Sequence, residues 1–307
     1  MAPTLYITHP SFRLHDAGSG HPECPQRLAA IDAALRNLTG LERVEDPPSA
    51  TDDDLLRAHT RAHVEHIHAA QPDPGVRVSL DPDTRINEHS IPAAQHAAGA
   101  AIEGTRRVLK GEAHNAFCAV RPPGHHAEHD RAMGFCLFNN VAITARWALD
   151  VYGLTRVAIA DFDVHHGNGT EDIFRDDSRV LFCSSFQHPF YPDRPLSRRE
   201  HLVHTPLAAG SDGATFRAAI KRDWLPALER FDPELLLVSA GFDAHRDDPL
   251  AGLNLVESDF EWVTRQLLTV AERHAGGRMV SVLEGGYDLA ALSHSARVHV
   301  RALVEGP

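Results

Sequence analysis

Four short segments of this 307-residue chain gather side chains that could do hydrolytic chemistry: Arg121-Pro-Pro-Gly-His-His126, Asp161-Phe-Asp-Val-His-His-Gly167, Ser239-Ala-Gly-Phe-Asp243 and Glu284-Gly-Gly-Tyr287. Asp161, Asp163 and His165 alternate with Phe162 and Val164, so an extended strand would project the polar three to one side. Two carboxylates and an imidazole crowded together are costly to bury without a cation. Asp163 and His165, joined by Asp243 from another strand, supply three protein ligands and leave a position open. That is the count expected of a catalytic zinc, and ferrous iron suits an oxygen-rich set as well. Taken singly, Asp163 could be a helix cap, Asp243 a turn former and His165 an exposed loop residue; their coincidence at strand ends favours the metal. In a site of this kind one of His125 and His126 can activate a water while the other tunes its charge. Tyr287, behind two glycines that let the backbone approach closely, could donate its phenol to a polarised carbonyl.

The elements that would position these residues are legible as apolar runs. Leu5–Thr8, Ala116–Val120, Val157–Phe162, Val180–Ser184, Leu235–Ala240 and Met279–Leu283 read as buried strands, most of them apolar on both faces. Arg27–Leu38, Ile91–Leu109, Asn140–Val151, Ala214–Arg230 and Ser258–His274 have helical spacing, and Ser258 with Glu261 makes a capping box for the last. Alternation of this kind predicts one α/β domain with a mostly parallel sheet covered on both faces. Ligands then bind beyond the carboxyl ends of strands, where four of the six runs lead into polar segments. Gln71–Gly75 and Pro189–Arg199 read as exposed loops.

Composition narrows the field. A formal charge of −12 disfavours the phosphate backbone of nucleic acid as a partner. Four cysteines without a CxxC pair give neither a disulfide framework nor a thiolate zinc site and point to a reducing compartment. No apolar stretch reaches membrane-spanning length and the first ten residues lack a signal pattern, so a soluble cytoplasmic protein with no membrane partner is expected. With 22 histidines, some clusters must arise by chance. His59, His63 and His66 share a helical face without a completing carboxylate, and are read as a solvated helix rather than a second metal site.

The four segments, in this order and with His21-Pro-Glu-Cys-Pro-Gln-Arg-Leu28 before them, closely resemble the zinc-dependent histone deacetylase superfamily. That superfamily includes bacterial acetoin-utilisation-type proteins and acetylpolyamine amidohydrolases. The resemblance runs from about residue 6 to residue 290 and implies the arginase–deacetylase fold, an eight-stranded, mostly parallel sheet flanked by helices, with residues 1–307 as a single catalytic domain. By motif position it makes Asp163, His165 and Asp243 the Zn2+ ligands and His125 and His126 the tandem histidines. It makes Asp161 and Asn168 their partners, the asparagine being class II-like, and Tyr287 the tyrosine that polarises the carbonyl. Gly134 would accept the acyl-lysine N–H, Phe135 and Tyr191 would wall the tunnel, and Arg27 would line an internal channel. A structural K+ would sit near Asp161, Asp163, His165, Ser185 and Phe186, with an outer monovalent site at Phe174, Asp177 and Val180.

The activity so implied is removal of acyl, mainly acetyl, groups from lysine in proteins by an activated water. An acetylpolyamine or other small acylated amine is the alternative substrate. Leu250, seven residues after Asp243, stands where polyamine-selective relatives carry a glutamate, which favours lysine. Two remoter readings are an arginase-like ureohydrolase, which would need a second metal, and a silent acyl-lysine reader, which would have lost Tyr287 or a ligand. One departure is plain: Pro192-Asp-Arg-Pro195 replaces the usual Pro-Gly-Thr-Gly, altering the tunnel rim. The sequence leaves the oligomeric state open.

Overall fold

The computed structural model describes residues 2–307. Among these residues ten strands form in chain order. They are β1 (Thr4–Ile7), β2 (Leu41–Val44), β3 (Val78–Ser79), β4 (Arg85–Ile86), β5 (Asn115–Cys118), β6 (Val157–Asp161), β7 (Val180–Gln187), β8 (Leu202–Leu207), β9 (Leu235–Ala240) and β10 (Met279–Leu283). The short β3 and β4 pair only with each other, antiparallel. The other eight make one sheet, ordered β2-β1-β5-β10-β9-β6-β7-β8, and every pairing in it is parallel.

The helices are α1 (Gln26–Leu35), α2 (Asp52–Leu55), α3 (Arg61–Ala69), α4 (Ser90–Leu109), α5 (Asn140–Asp150), α6 (Asn168–Phe174), α7 (Gly213–Phe231), α8 (Glu257–His274) and α9 (Leu289–Glu305). Consecutive packing of α7 on α8, α8 on α9 and α9 on α1 makes one layer, and α4, α5 and α6 make the other. Burial follows from that arrangement. β1, β5, β6, β9 and β10 are buried at every residue, as strands covered on both faces must be. On α4 the buried face is built of Ala93, Ala94, Ala97, Ala98, Ala100 and Ala101, small enough to seat the helix close to the strands.

The six predicted strands and five predicted helices are present, and the sheet has two further strands at its edges. β2 exposes Glu42 and Arg43, and β8 carries Pro206, so neither has the continuous apolar run of a central strand. Helix α8 starts one residue earlier than expected and is capped differently. Asp259 Oδ2 accepts the Val256 N–H at 3.0 Å, which leaves Ser258 inside the helix rather than at its cap. The loops 71–75 and 189–199 are largely exposed, as expected.

Candidate active site

Loops beyond the carboxyl ends of β5, β6, β9 and β10 converge on one buried cluster. Strand β6 ends at Asp161, so Asp163 and His165 stand on the turn after it; loop geometry rather than strand alternation brings them together. His165 Nδ1 lies 3.0 Å from Asp163 Oδ1 and 3.2 Å from Asp243 Oδ2. One donor atom from each of Asp163, His165 and Asp243 falls within 4.8 Å of the others, and all three residues are buried. Backbone N–H groups orient both carboxylates: Gly285 N–H donates to Asp163 Oδ2 at 2.9 Å and Val164 N–H to Asp243 Oδ1 at 2.9 Å. Asp243 Oδ2 is buried without a hydrogen bond of good geometry. A Cβ on Gly285 would meet that same oxygen at 2.0 Å, so only glycine lets the backbone close over the set. An orphaned carboxylate oxygen facing an imidazole, with a second carboxylate beside it, fits a divalent cation of the zinc class.

His125 and His126 lie beside this set with different partners. His125 Nδ1 is 2.9 Å from Asp161 Oδ2, and its Nε2 is 3.7 Å from Asp163 Oδ1. Burial opposes its charge, but the Asp163 and Asp161 carboxylates outweigh burial and hold the imidazolium well above its usual range. His126 Nδ1 is 2.7 Å from Asn168 Oδ1. Burial, then the neighbouring His125 and His165, push His126 well below its usual range. Asn168 Nδ2 donates to Glu128 Oε1 at 2.8 Å, so its carbonyl oxygen is the atom that meets His126. The Gly169 N–H at the start of α6 donates to the His125 carbonyl at 3.1 Å, locking the histidine loop to the loop of the cluster. Asn139, which caps α5 through the Ala142 N–H, also donates to the Ala127 carbonyl at 3.2 Å.

A cavity of about 180 Å³ opens onto His126, His165 and Tyr287, with Gly134, Phe135, Tyr191 and Leu250 along it. The sequence reading named all seven. It missed Phe190, which stacks on His165 at 5.5 Å, and Asp83, whose Oδ1 accepts the Gly134 N–H at 3.2 Å. Only the long-range fold brings Asp83 here, and no motif marks it. Phe135 has φ 68°, unusual for a bulky residue. Its N–H donates to Thr84 Oγ1 at 3.1 Å, and its ring meets Tyr287 edge-on at 5.9 Å. Tyr287 is fixed through its N–H to Asp248 Oδ2 at 2.7 Å, and burial together with the Asp243 charge raises its phenol well above the usual range.

Arg27 is fully buried beneath this loop, its guanidinium 5.0 Å from the Tyr287 ring centre, and donates to the Gly286 carbonyl at 2.6 Å and to Glu23 Oε1 at 3.1 Å. Glu23 also pairs with Arg121, so two of the recognised segments are tied through one buried carboxylate. On the rim, Arg194 stands 3.2 Å from Glu128, which connects the altered Pro192–Pro195 segment to the Asn168 partner. Ser185 and Phe186 are buried in β7, and Ser184, read from the sequence only as a strand end, pairs in register with Asp161 and holds a buried hydroxyl without a partner. Phe174, Asp177 and Val180 lie on the turn from α6 into β7, where the Phe174 carbonyl accepts the Asp177 N–H at 3.0 Å.

The reading of His59, His63 and His66 as one solvated helical face also needs correction: His59 precedes α3, and of the three only His66 is exposed. His59 and His63 are buried, not solvated. His59 accepts the Asn139 N–H at Nε2 (2.9 Å) and its Nδ1 meets the Glu128 carbonyl at 3.0 Å, while His63 Nε2 meets the Leu137 carbonyl at 2.9 Å. Both serve as polar latches on the 128–139 loop, which explains their type without a metal. Burial lowers the His59 pKa to about 3, so it stays neutral.

A family model described as Histone deacetylase domain matches residues 21–303. The histone deacetylase-like amidohydrolase of Pseudomonas aeruginosa is 41% identical over 281 residues, which is 88% of this chain and 73% of that protein. A probable deacetylase of Archaeoglobus fulgidus is 36% identical over 93% of this chain and 82% of its own. The crystal structure of the HDA15 HD domain superposes with a TM-score of 0.92 at 32% identity, covering 99% of this chain and 90% of that one. With four motifs converging on one buried cluster and these likenesses across nearly its whole length, the chain belongs to the histone deacetylase family of hydrolytic deacetylases.

Proposed function

We propose that residues 1–307 act as a single catalytic domain that removes acyl, chiefly acetyl, groups from lysine side chains. The observation that carries this reading is the cavity: Phe135, Phe190, Tyr191 and Leu250 line it, and His126, His165 and Tyr287 stand along it. Apolar walls suit the aliphatic stem of lysine, and the polar residues suit a neutral amide. A zinc-class cation held by Asp163, His165 and Asp243 would supply Lewis acidity and lower the pKa of the attacking water, with Fe2+ an alternative metal.

The residues of the chain do the rest. His126 presents an unprotonated Nε2, because its Nδ1 donates to Asn168, and so can take the proton of the water and deliver it to the departing amine. His125, charged against Asp161, offers a fixed positive field where negative charge develops. Tyr287, kept protonated by its raised pKa, would donate to the oxyanion, and Gly134, which lines the cavity, would accept the amide N–H at its carbonyl. Arg27 keeps its proposed place at an internal channel beneath the site, and K+ is the proposed ion for the inner and outer monovalent sites.

The test is a panel of acetyl-lysine peptides, longer acyl-lysine peptides and acetylated polyamines. The proposal expects acyl-lysine peptides to give the highest kcat/KM. Turnover confined to acetylated polyamines would replace it with the small-amine alternative.

A further inference from the structure

We propose a second divalent-metal site, made by His166, Glu171 and His204 and distinct from the Asp163, His165 and Asp243 set. Three separate elements build it: His166 stands on the turn after β6, Glu171 on α6 and His204 on β8. One donor atom from each falls within 4.8 Å of the others. Glu171 Oε2 is 2.9 Å from His166 Nε2 and 2.6 Å from His204 Nε2. The two imidazole rings are 5.4 Å apart and inclined at 56°, so they converge on the carboxylate rather than stack.

A plain hydrogen-bonded triad would need both histidines to donate from Nε2 to the same oxygen. His204 does so. His166 Nε2, although buried and close, makes no hydrogen bond of good geometry. A buried imidazole nitrogen close to a carboxylate yet free of a hydrogen bond still has its lone pair to offer a metal. The carboxylate is already oriented, because Glu171 Oε1 accepts the Ser197 N–H at 2.7 Å. Phe186 packs edge-on to His166 at 4.7 Å and restricts that ring.

Two imidazole nitrogens and one carboxylate oxygen select a borderline divalent cation such as Zn2+ or Co2+ over Mg2+ or Ca2+, which prefer all-oxygen sets. A cavity of about 330 Å³ adjoins His166 and Glu171, with room for water as a further ligand. A cation here would cross-link β8 and α6 and, through Ser197, the rim loop. Its position is next to His165 and Asn168 in sequence but its ligands take no part in the proposed chemistry. The site therefore has a structural role in holding the rim.

The experiment strips the full-length protein with a chelator, adds Zn2+ alone, desalts and counts bound metal. Wild type should retain two equivalents, one for each set of ligands. Asp243→Ala should keep the equivalent at the new site, while His204→Ala and Glu171→Gln should each retain only the other. Should His204→Ala fail a thermal-unfolding check for folding, His204→Asn takes its place, and the Asp243→Ala count stands independently. Co2+ in Asp243→Ala should show the d–d absorption of a nitrogen- and oxygen-ligated low-symmetry site, abolished by adding His204→Asn. A single equivalent in wild type, no metal in folded Asp243→Ala, or two equivalents in the His204 and Glu171 variants would overturn the proposal. Acetyl-lysine hydrolysis by folded His204→Asn would persist even then, which keeps this test separate from that of the proposed function.

Discussion

The carbonyl oxygen of Asn168 stands 2.7 Å from His126 Nδ1, and the asparagine is held in that orientation by its own amide nitrogen donating to Glu128 at 2.8 Å. His126 must therefore carry its proton on Nδ1 and leave Nε2 as a base toward the cavity. Asn168→Asp would put a carboxylate against the same nitrogen and raise the His126 pKa. The acidic limb of the kcat/KM profile should then move up by about one pH unit. Asn168→Ala, which removes the orienting group, should lower kcat by at least about tenfold with little change in KM. An unmoved acidic limb in Asn168→Asp would separate Asn168 from the proton transfer.

Tyr287 is fixed through its backbone N–H to Asp248 rather than by its phenol, which leaves the hydroxyl for the reaction. Tyr287→Phe should lower kcat by ~10²–10³ and leave KM nearly intact. A loss confined to KM would make the residue a binder of substrate and not a stabiliser of the oxyanion.

Leu250 lines the cavity, and an apolar side chain there offers nothing to a second ammonium group. Leu250→Glu should shift the ratio of kcat/KM toward acetylated polyamines by roughly 1–2 kcal/mol, about five- to thirtyfold. Equal ratios in the two proteins would remove Leu250 from substrate choice.

The buried His299 makes stability depend on pH. Its Nδ1 meets Thr264 Oγ1 at 2.7 Å and its Nε2 meets Ser281 Oγ at 2.8 Å. Burial lowers its pKa from 6.5 to about 3. As pH falls below 6.5 the unfolded chain takes up this proton first, so the contribution is fully present above pH 6.5 and is lost as pH drops toward 3. Between pH 6 and 5 the fall in unfolding free energy should be shallower in His299→Gln than in wild type by about 1 kcal/mol per pH unit, read from denaturant unfolding with metal held constant. Parallel curves would show that His299 titrates alike in both states.

The central strands and the convergence of Asp163, His165 and Asp243 were legible because each rests on a local signal: an apolar run ending in a polar segment. Asp163, His165 and Asp243 announce themselves by type and order, although the turn past Asp161 rather than strand alternation assembles them. Edge strands carry weaker signals, and charged Glu42 and Arg43 or the proline at 206 disguise β2 and β8. The long helix α9 was passed over because its first turn directly follows Tyr287, where Asp288 caps it through the Ala291 N–H. Asp83 and His204 reach their places only through the tertiary fold, and nothing in their neighbours predicts it, whereas Phe190 could have been found from Tyr191 beside it. The buried His59 and His63 show the opposite error, since helical spacing of polar residues reads as a wet face until a loop packs over it.

The account rests on Asp163, His165 and Asp243 holding the ion that hydrolysis requires. The most direct measurement is the rate of acetyl-lysine peptide hydrolysis by protein verified as metal-free, before and after Zn2+ is restored, with Asp243→Ala alongside. Activity should vanish on stripping, return with Zn2+ in wild type and stay absent in Asp243→Ala. Undiminished hydrolysis by the metal-free protein, or full activity in Asp243→Ala, would contradict it.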